Sequence, residues 1–152
     1  MKLAEALVMR KDLQARISHL RSRVKDNLIV QDGESPSEDP NQLIKTLLSV
    51  QNRFTSLVQA INRTNVKTSF DTKRSVADAL AERDGYLAKQ QTCTSIAKYA
   101  TVTQDRYSQS EIRKVSLLSA TDMQHQADEW AKKFRELDLL IQAKNWETDL
   151  LE

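Results

Sequence analysis

Along most of this chain, apolar residues recur at alternating intervals of three and four, the spacing that turns one face of an α-helix toward a partner helix. Over residues 2–28 the stripe is Leu3, Ala6, Arg10, Leu13, Ile17, Leu20 and Val24. Over 40–61 it is Leu43, Leu47, Val50, Phe54, Leu57 and Ile61, and over 121–144 it is Met123, Ala127, Trp130, Phe134, Leu137 and Ile141. Residues 75–101 hold the spacing less well: of Val76, Leu80, Arg83, Leu87, Gln90, Thr94 and Ala97, three are polar or charged. The pattern predicts a mainly α protein, a bundle of four long antiparallel helices with coiled-coil-like seams, formed by residues 1–152 as a single domain.

Three connections interrupt the period. Residues 29–39 carry Gly33, Pro36 and four acids, and read as a solvated loop. Asp39 is placed to cap the second helix, with Pro40 at its first position and Gln42 able to close a capping box. Residues 62–74 are polar; Val66, Thr68 and Phe70 alternate with Lys67 and Ser69, and Asp71-Thr72-Lys73 can turn the chain back. A small β-hairpin and an irregular loop both fit this stretch. Ser75 with Asp78, and Thr121 with Gln124, read as the starts of the third and fourth helices. Residues 102–120 alternate weakly at Ile112, Lys114, Ser116 and Leu118, which suits a loop with one short strand. The tail, 145–152, concentrates Trp146, Leu150 and Leu151 and is expected to dock, with a neighbouring subunit as one surface for it.

Composition supports few, long helices. Two glycines and two prolines in 152 residues leave little turn chemistry, and 39% apolar residues suffice for a core. The net charge of +2 is too small to imply nucleic acid. It is unevenly spread: up to Val30 there are seven bases and three acids, and from Ala120 onward four bases and eight acids. Opposite charge favours the first and fourth helices as neighbours, in one chain or across a dimer. No run is apolar enough to span a bilayer, the amphipathic start is unlike a signal peptide, and the lone Cys93 suits a reducing cytoplasm.

Candidate chemistry is sparse. Asp122-x-x-His125 is a single carboxylate–histidine pair where metal bundles need sets on facing helices, so no metal site and no cofactor are expected. Gly33 and Gly85 stand alone, so no phosphate-cradling loop is present. Arg10 and Arg83 interrupt apolar seams, and a buried guanidinium needs a carboxylate. Asp84, Asp128 and Glu111 are candidate partners, in a register-fixing ion pair or at the wall of a ligand pocket. Polar groups also gather in Asn62-Arg63-Thr64-Asn65 and in the run from Gln104 to Glu111, both expected in loops, where function commonly sits.

Several segments resemble the septicolysin-like family of small bacterial proteins, a domain of unknown function. They are Met1-Lys2-Leu3-Ala4-Glu5-Ala6-Leu7, Ile61-Asn62-Arg63-Thr64-Asn65, Arg106-Tyr107-Ser108-x-Ser110-Glu111-Ile112, Asn145-Trp146 and Leu150-Leu151-Glu152. The resemblance singles out Asn62, Arg63, Asn65, Arg106, Tyr107, Ser108 and Glu111, and its name implies a cytolysin. No catalytic motif accompanies it. The sequence is therefore read as a cytoplasmic, non-enzymatic module that forms a homo-oligomer, with no nucleic-acid or membrane partner. The alternative is a small-molecule binder or hydrolase whose site holds Arg106, Tyr107, Ser108, Glu111, Asn62, Arg63, Asn65, Arg83 and Asp84.

Overall fold

A computed structural model describes residues 1–102 and 112–151. The protein is mainly α, with four long helices: α1 (Leu3–Asp26), α2 (Pro40–Lys67), α3 (Val76–Ala100) and α4 (Ala120–Glu147). Two compact units divide it, Met1–Val76 with Gln142–Glu152, and Ala77–Ile141.

In the first unit, α1 and α2 form an antiparallel hairpin. Leu3, Ala6, Leu13, Ile17 and Leu20 of α1 are buried in one cluster with Leu43, Val50, Leu57 and Ile61 of α2. These are the predicted seams, with one displacement. Met9, not Arg10, packs at the level between Ala6 and Leu13, while Arg10 is exposed. A period of 3.6 places the inward direction between positions 9 and 10, and the apolar neighbour takes it. Arg10, being exposed, thus requires no buried counter-ion.

The connection between α1 and α2 is held by side chains. Asn27 sits at the end of α1, buried; its Nδ2 donates to the Arg23 carbonyl (2.8 Å), and its Oδ1 accepts the Glu38 N–H (3.0 Å). Asp39 caps α2 by accepting the Asn41 N–H (2.9 Å), and Pro40 opens the helix as expected. Gly33 takes the left-handed conformation (φ 86°) that its lack of a Cβ permits.

α2 then runs six residues past the predicted end, to Lys67, so Asn62, Arg63 and Asn65 are helical and not in a loop. The reason is Thr64. Fully buried, it keeps the helix docked after the seam residue Ile61, and its Oγ1 donates to the Ala60 carbonyl (2.8 Å). The turn that follows centres on Asp71, whose carboxylate accepts the N–H groups of Lys73 and Arg74 (2.9 Å each) and Arg74 Nε (2.8 Å). Asp71 does reverse the chain, but the arms pair at the single bridge Ser69–Ser75, so no strand forms.

The tail docks on its own chain. Thr148 and Leu150 flank a bridge between Lys2 and Asp149: the Leu3 N–H donates to the Thr148 carbonyl (2.9 Å), and the Leu150 N–H donates to the Met1 carbonyl (2.9 Å). The Leu151 N–H donates to Thr64 Oγ1 (2.9 Å), and Leu150 packs on the α1–α2 core. Trp146 stays 59% exposed, and α4 itself continues through it to Glu147.

In the second unit, α3 and α4 are also antiparallel, since Arg83 meets Asp138 while Tyr86 and Lys89 meet Trp130. α4 is capped two residues before Thr121: Ser119 Oγ accepts the Asp122 N–H (3.2 Å), and Thr121 is already helical. The α3 seam shifts at its C-terminal end, where Cys93 is half-buried and Thr94 exposed. Residues 112–119 form no strand, and Ile112, Val115, Leu117 and Leu118 are exposed.

Candidate functional site

A groove opens along the α1–α2 hairpin, and its origin is a stripe one position before each seam residue. Asp12, Arg16, His19 and Arg23 precede Leu13, Ile17, Leu20 and Val24 on α1; Gln42 and Thr46 precede Leu43 and Leu47 on α2. An offset of one residue rotates a side chain about 100° from the seam, onto the flank of the helix pair. The antiparallel pairing brings both flanks to the same side. Together with Glu38 and Asp39 they line a groove of about 820 Å3, along with Ala15, Leu20 and Leu43.

One end of this groove is closed by charge. Arg23 Nε donates to Glu38 Oε2 (2.9 Å), and Arg23 Nη2 pairs with Glu38 Oε1. The hydrogen bond from Arg23 holds the Glu38 carboxyl below the usual carboxylate range, and the same bond raises the Arg23 guanidinium. Thr46 Oγ1 donates back to the Gln42 carbonyl (2.9 Å). Arg16, His19 and the Gln42 amide have no hydrogen-bond or ion-pair partner among the described residues.

Arg83 is a different case. Its Nη1 donates to Asp138 Oδ1 (3.0 Å), while Nε and Nη2 donate to Asp84 Oδ1 (3.0 and 2.8 Å). The guanidinium also lies 6.0 Å from the Phe134 ring centre. Burial alone would lower the Arg83 pKa, but the hydrogen bonds and charges of Asp84 and Asp138 outweigh it and raise it. With each of its three nitrogens bonded to a carboxylate, little of this side chain is left for a ligand. Asp84 was an expected partner. Asp128 instead accepts Gln124 Nε2 (3.1 Å), because it lies nearly three turns from the level of Arg83, which Asp138 matches.

Beside this pair, Tyr86 and Trp130 stack with ring centres 5.8 Å apart, and Tyr86 Oη donates to Glu82. Lys89 and Lys133 lie 4.4 and 4.6 Å from the Trp130 ring centre. These contacts join α3 to α4 where leucines would otherwise meet.

The remaining sequence candidates separate. Asn62 and Arg63 are exposed on α2 and Asn65 is half-buried there, far along the chain from the groove. Arg106, Tyr107, Ser108 and Glu111 lie outside the described residues. Among the described residues, no three His, Cys, Asp or Glu side chains are grouped to hold a metal ion, and no helix is long and apolar enough to cross a membrane.

The model of a family of unknown function, DUF6847, matches residues 10–150. The chain belongs to this family. A solved structure described as a functionally unknown conserved protein from Corynebacterium diphtheriae is 41% identical to it, covers 99% of both chains and superposes with a TM-score of 0.92. No curated protein matches. Membership of DUF6847 stands in place of the septicolysin-like name, which neither comparison carries. Reading the seams and motifs alone does not single out the groove residues. Their shared 4-3-4 offset from the seam was the signal.

Proposed function

We propose that this DUF6847 protein is a non-enzymatic interaction module of the cytoplasm that associates with a second copy of itself. The observation that carries the reading is large apolar side chains left uncovered on regular helices. Ile44 and Leu48 stand one turn apart on α2, Leu48 at 55% exposure, and Leu139, Leu140 and Trp146 are exposed on α4. Single exposed leucines are ordinary; pairs at helical spacing are the form in which helices meet partners. The charge distribution supports a like partner, since each copy carries a basic first segment and an acidic last one. Because Leu150 is used within the chain, the contact falls to Trp146 at the end of α4 and to the α2 face.

Size-exclusion chromatography with light scattering tests this directly. A dimer or larger species is expected at micromolar concentration, with Leu48→Glu or Trp146→Glu returning it to monomer. A wild-type monomer throughout that range overturns the reading.

A further inference from the structure

The groove of the α1–α2 hairpin has an uneven supply of uncommitted polar groups. Of its three carboxylates, Glu38 is bound by Arg23, and Asp39 accepts the Asn41 N–H at the α2 N-terminus. Asp12 alone remains. Against it stand the Arg16 guanidinium, the His19 ring and the Gln42 amide, none with a partner among the described residues. Arg16 lies on α1 and Gln42 on α2, so the donors come from both walls.

We propose that this groove binds a small organic anion with one acidic head, a carboxylate or a phosphate ester with a short apolar body, anchored by Arg16. A guanidinium presents two parallel N–H groups that match two oxygens of such an anion, which a lysine in the same place would not. Gln42 donates from the opposite wall, and the first turn of α2 adds the positive end of a helix dipole. Ala15, exposed on α1, meets the apolar body over a floor closed by the buried Leu20 and Leu43. The carboxylates at the rim set the limit on charge: Asp12 is one helical turn from Arg16, and Glu38 and Asp39 lie at the closed end. They repel polyanions, so the groove selects a single anionic head and excludes a nucleic-acid backbone. This site is independent of self-association, which uses other side chains.

The test is a chemical-shift titration of the full-length 15N-labelled protein at low salt with butyrate, butyl phosphate and, as the cationic control, butylammonium. Saturable shifts confined to residues 12–23 and 38–46 are expected with an anion and not with butylammonium; which anion binds more tightly tells carboxylate from phosphate. Arg16→Gln should weaken binding roughly tenfold, since it removes the charged anchor. Lys11→Gln, an exposed neighbour outside the lining, should leave it unchanged. Arg16 is itself exposed, so circular dichroism of the variant should match wild type. Absence of saturation with both anions, equal shifts with butylammonium, or equal affinity in Arg16→Gln overturns the proposal.

Discussion

Thr64 illustrates how one hydroxyl serves two parts of the chain. It donates to the Ala60 carbonyl within α2 and accepts the Leu151 N–H from the tail, in a fully buried position. Thr64→Val preserves shape but leaves that N–H without its acceptor. The expected loss is about 1–2 kcal/mol in denaturant unfolding, with faster hydrogen exchange at the Leu151 amide; Thr64→Ser should retain most of the stability. The residue was visible in the sequence only as one member of a polar quartet, because nothing local announces a partner 87 positions away. Arg83 was more legible. A guanidinium at a seam position demands a carboxylate, and the structure supplies two. A double-mutant cycle of Arg83→Met with Asp138→Asn should give a coupling of about 1 kcal/mol, read from denaturant midpoints. Zero coupling would mean that Asp84 alone satisfies the arginine.

At the scale of elements, the helices stand on their seams and the connections on charge. Each buried leucine or isoleucine of the α1–α2 seam contributes on the order of 1.5–3 kcal/mol, whereas an exposed ion pair contributes 0–1 kcal/mol. Ion pairs therefore set how the connections lie, and the seams set whether the hairpin forms. The connections carry the acid sensitivity. Glu38 is held low by the hydrogen bond from Arg23, Asp71 chiefly by the Lys73 N–H, and Asp149 by Lys2. A carboxyl whose folded pKa lies below its unfolded value stabilises the fold fully above the unfolded value. That contribution is lost as pH falls through the folded one. Thermal melting should accordingly be flat near neutrality and fall on acidification below the ordinary carboxylate range, about pH 4. Glu38→Gln should reduce the drop; a melting temperature that stays unchanged as the pH falls below that range would contradict this account.

At the scale of the whole molecule, the exposed apolar side chains of α2 and α4 make self-association the property most worth measuring. Oligomer mass against concentration decides it, and Leu48→Glu should act without disturbing the core because Leu48 lies beside the seam and not in it. The sequence by itself determined the four helices, their buried faces, the Asp39–Pro40 start and the Asp71 turn. Each of these depends on residues within one or two turns, where periodicity and capping chemistry act. Only the tertiary structure decided that Met9 replaces Arg10 in the core and that α2 extends through Asn62, Arg63 and Asn65. It likewise decided that the tail closes on Met1 and Thr64, that Arg83 meets Asp138, and that Arg16 and His19 share a groove with Gln42. The heptad period states which face of a helix is inward. It does not state which residue of a distant segment lies level with it, because that depends on register between helices, and register is set by packing across the whole seam.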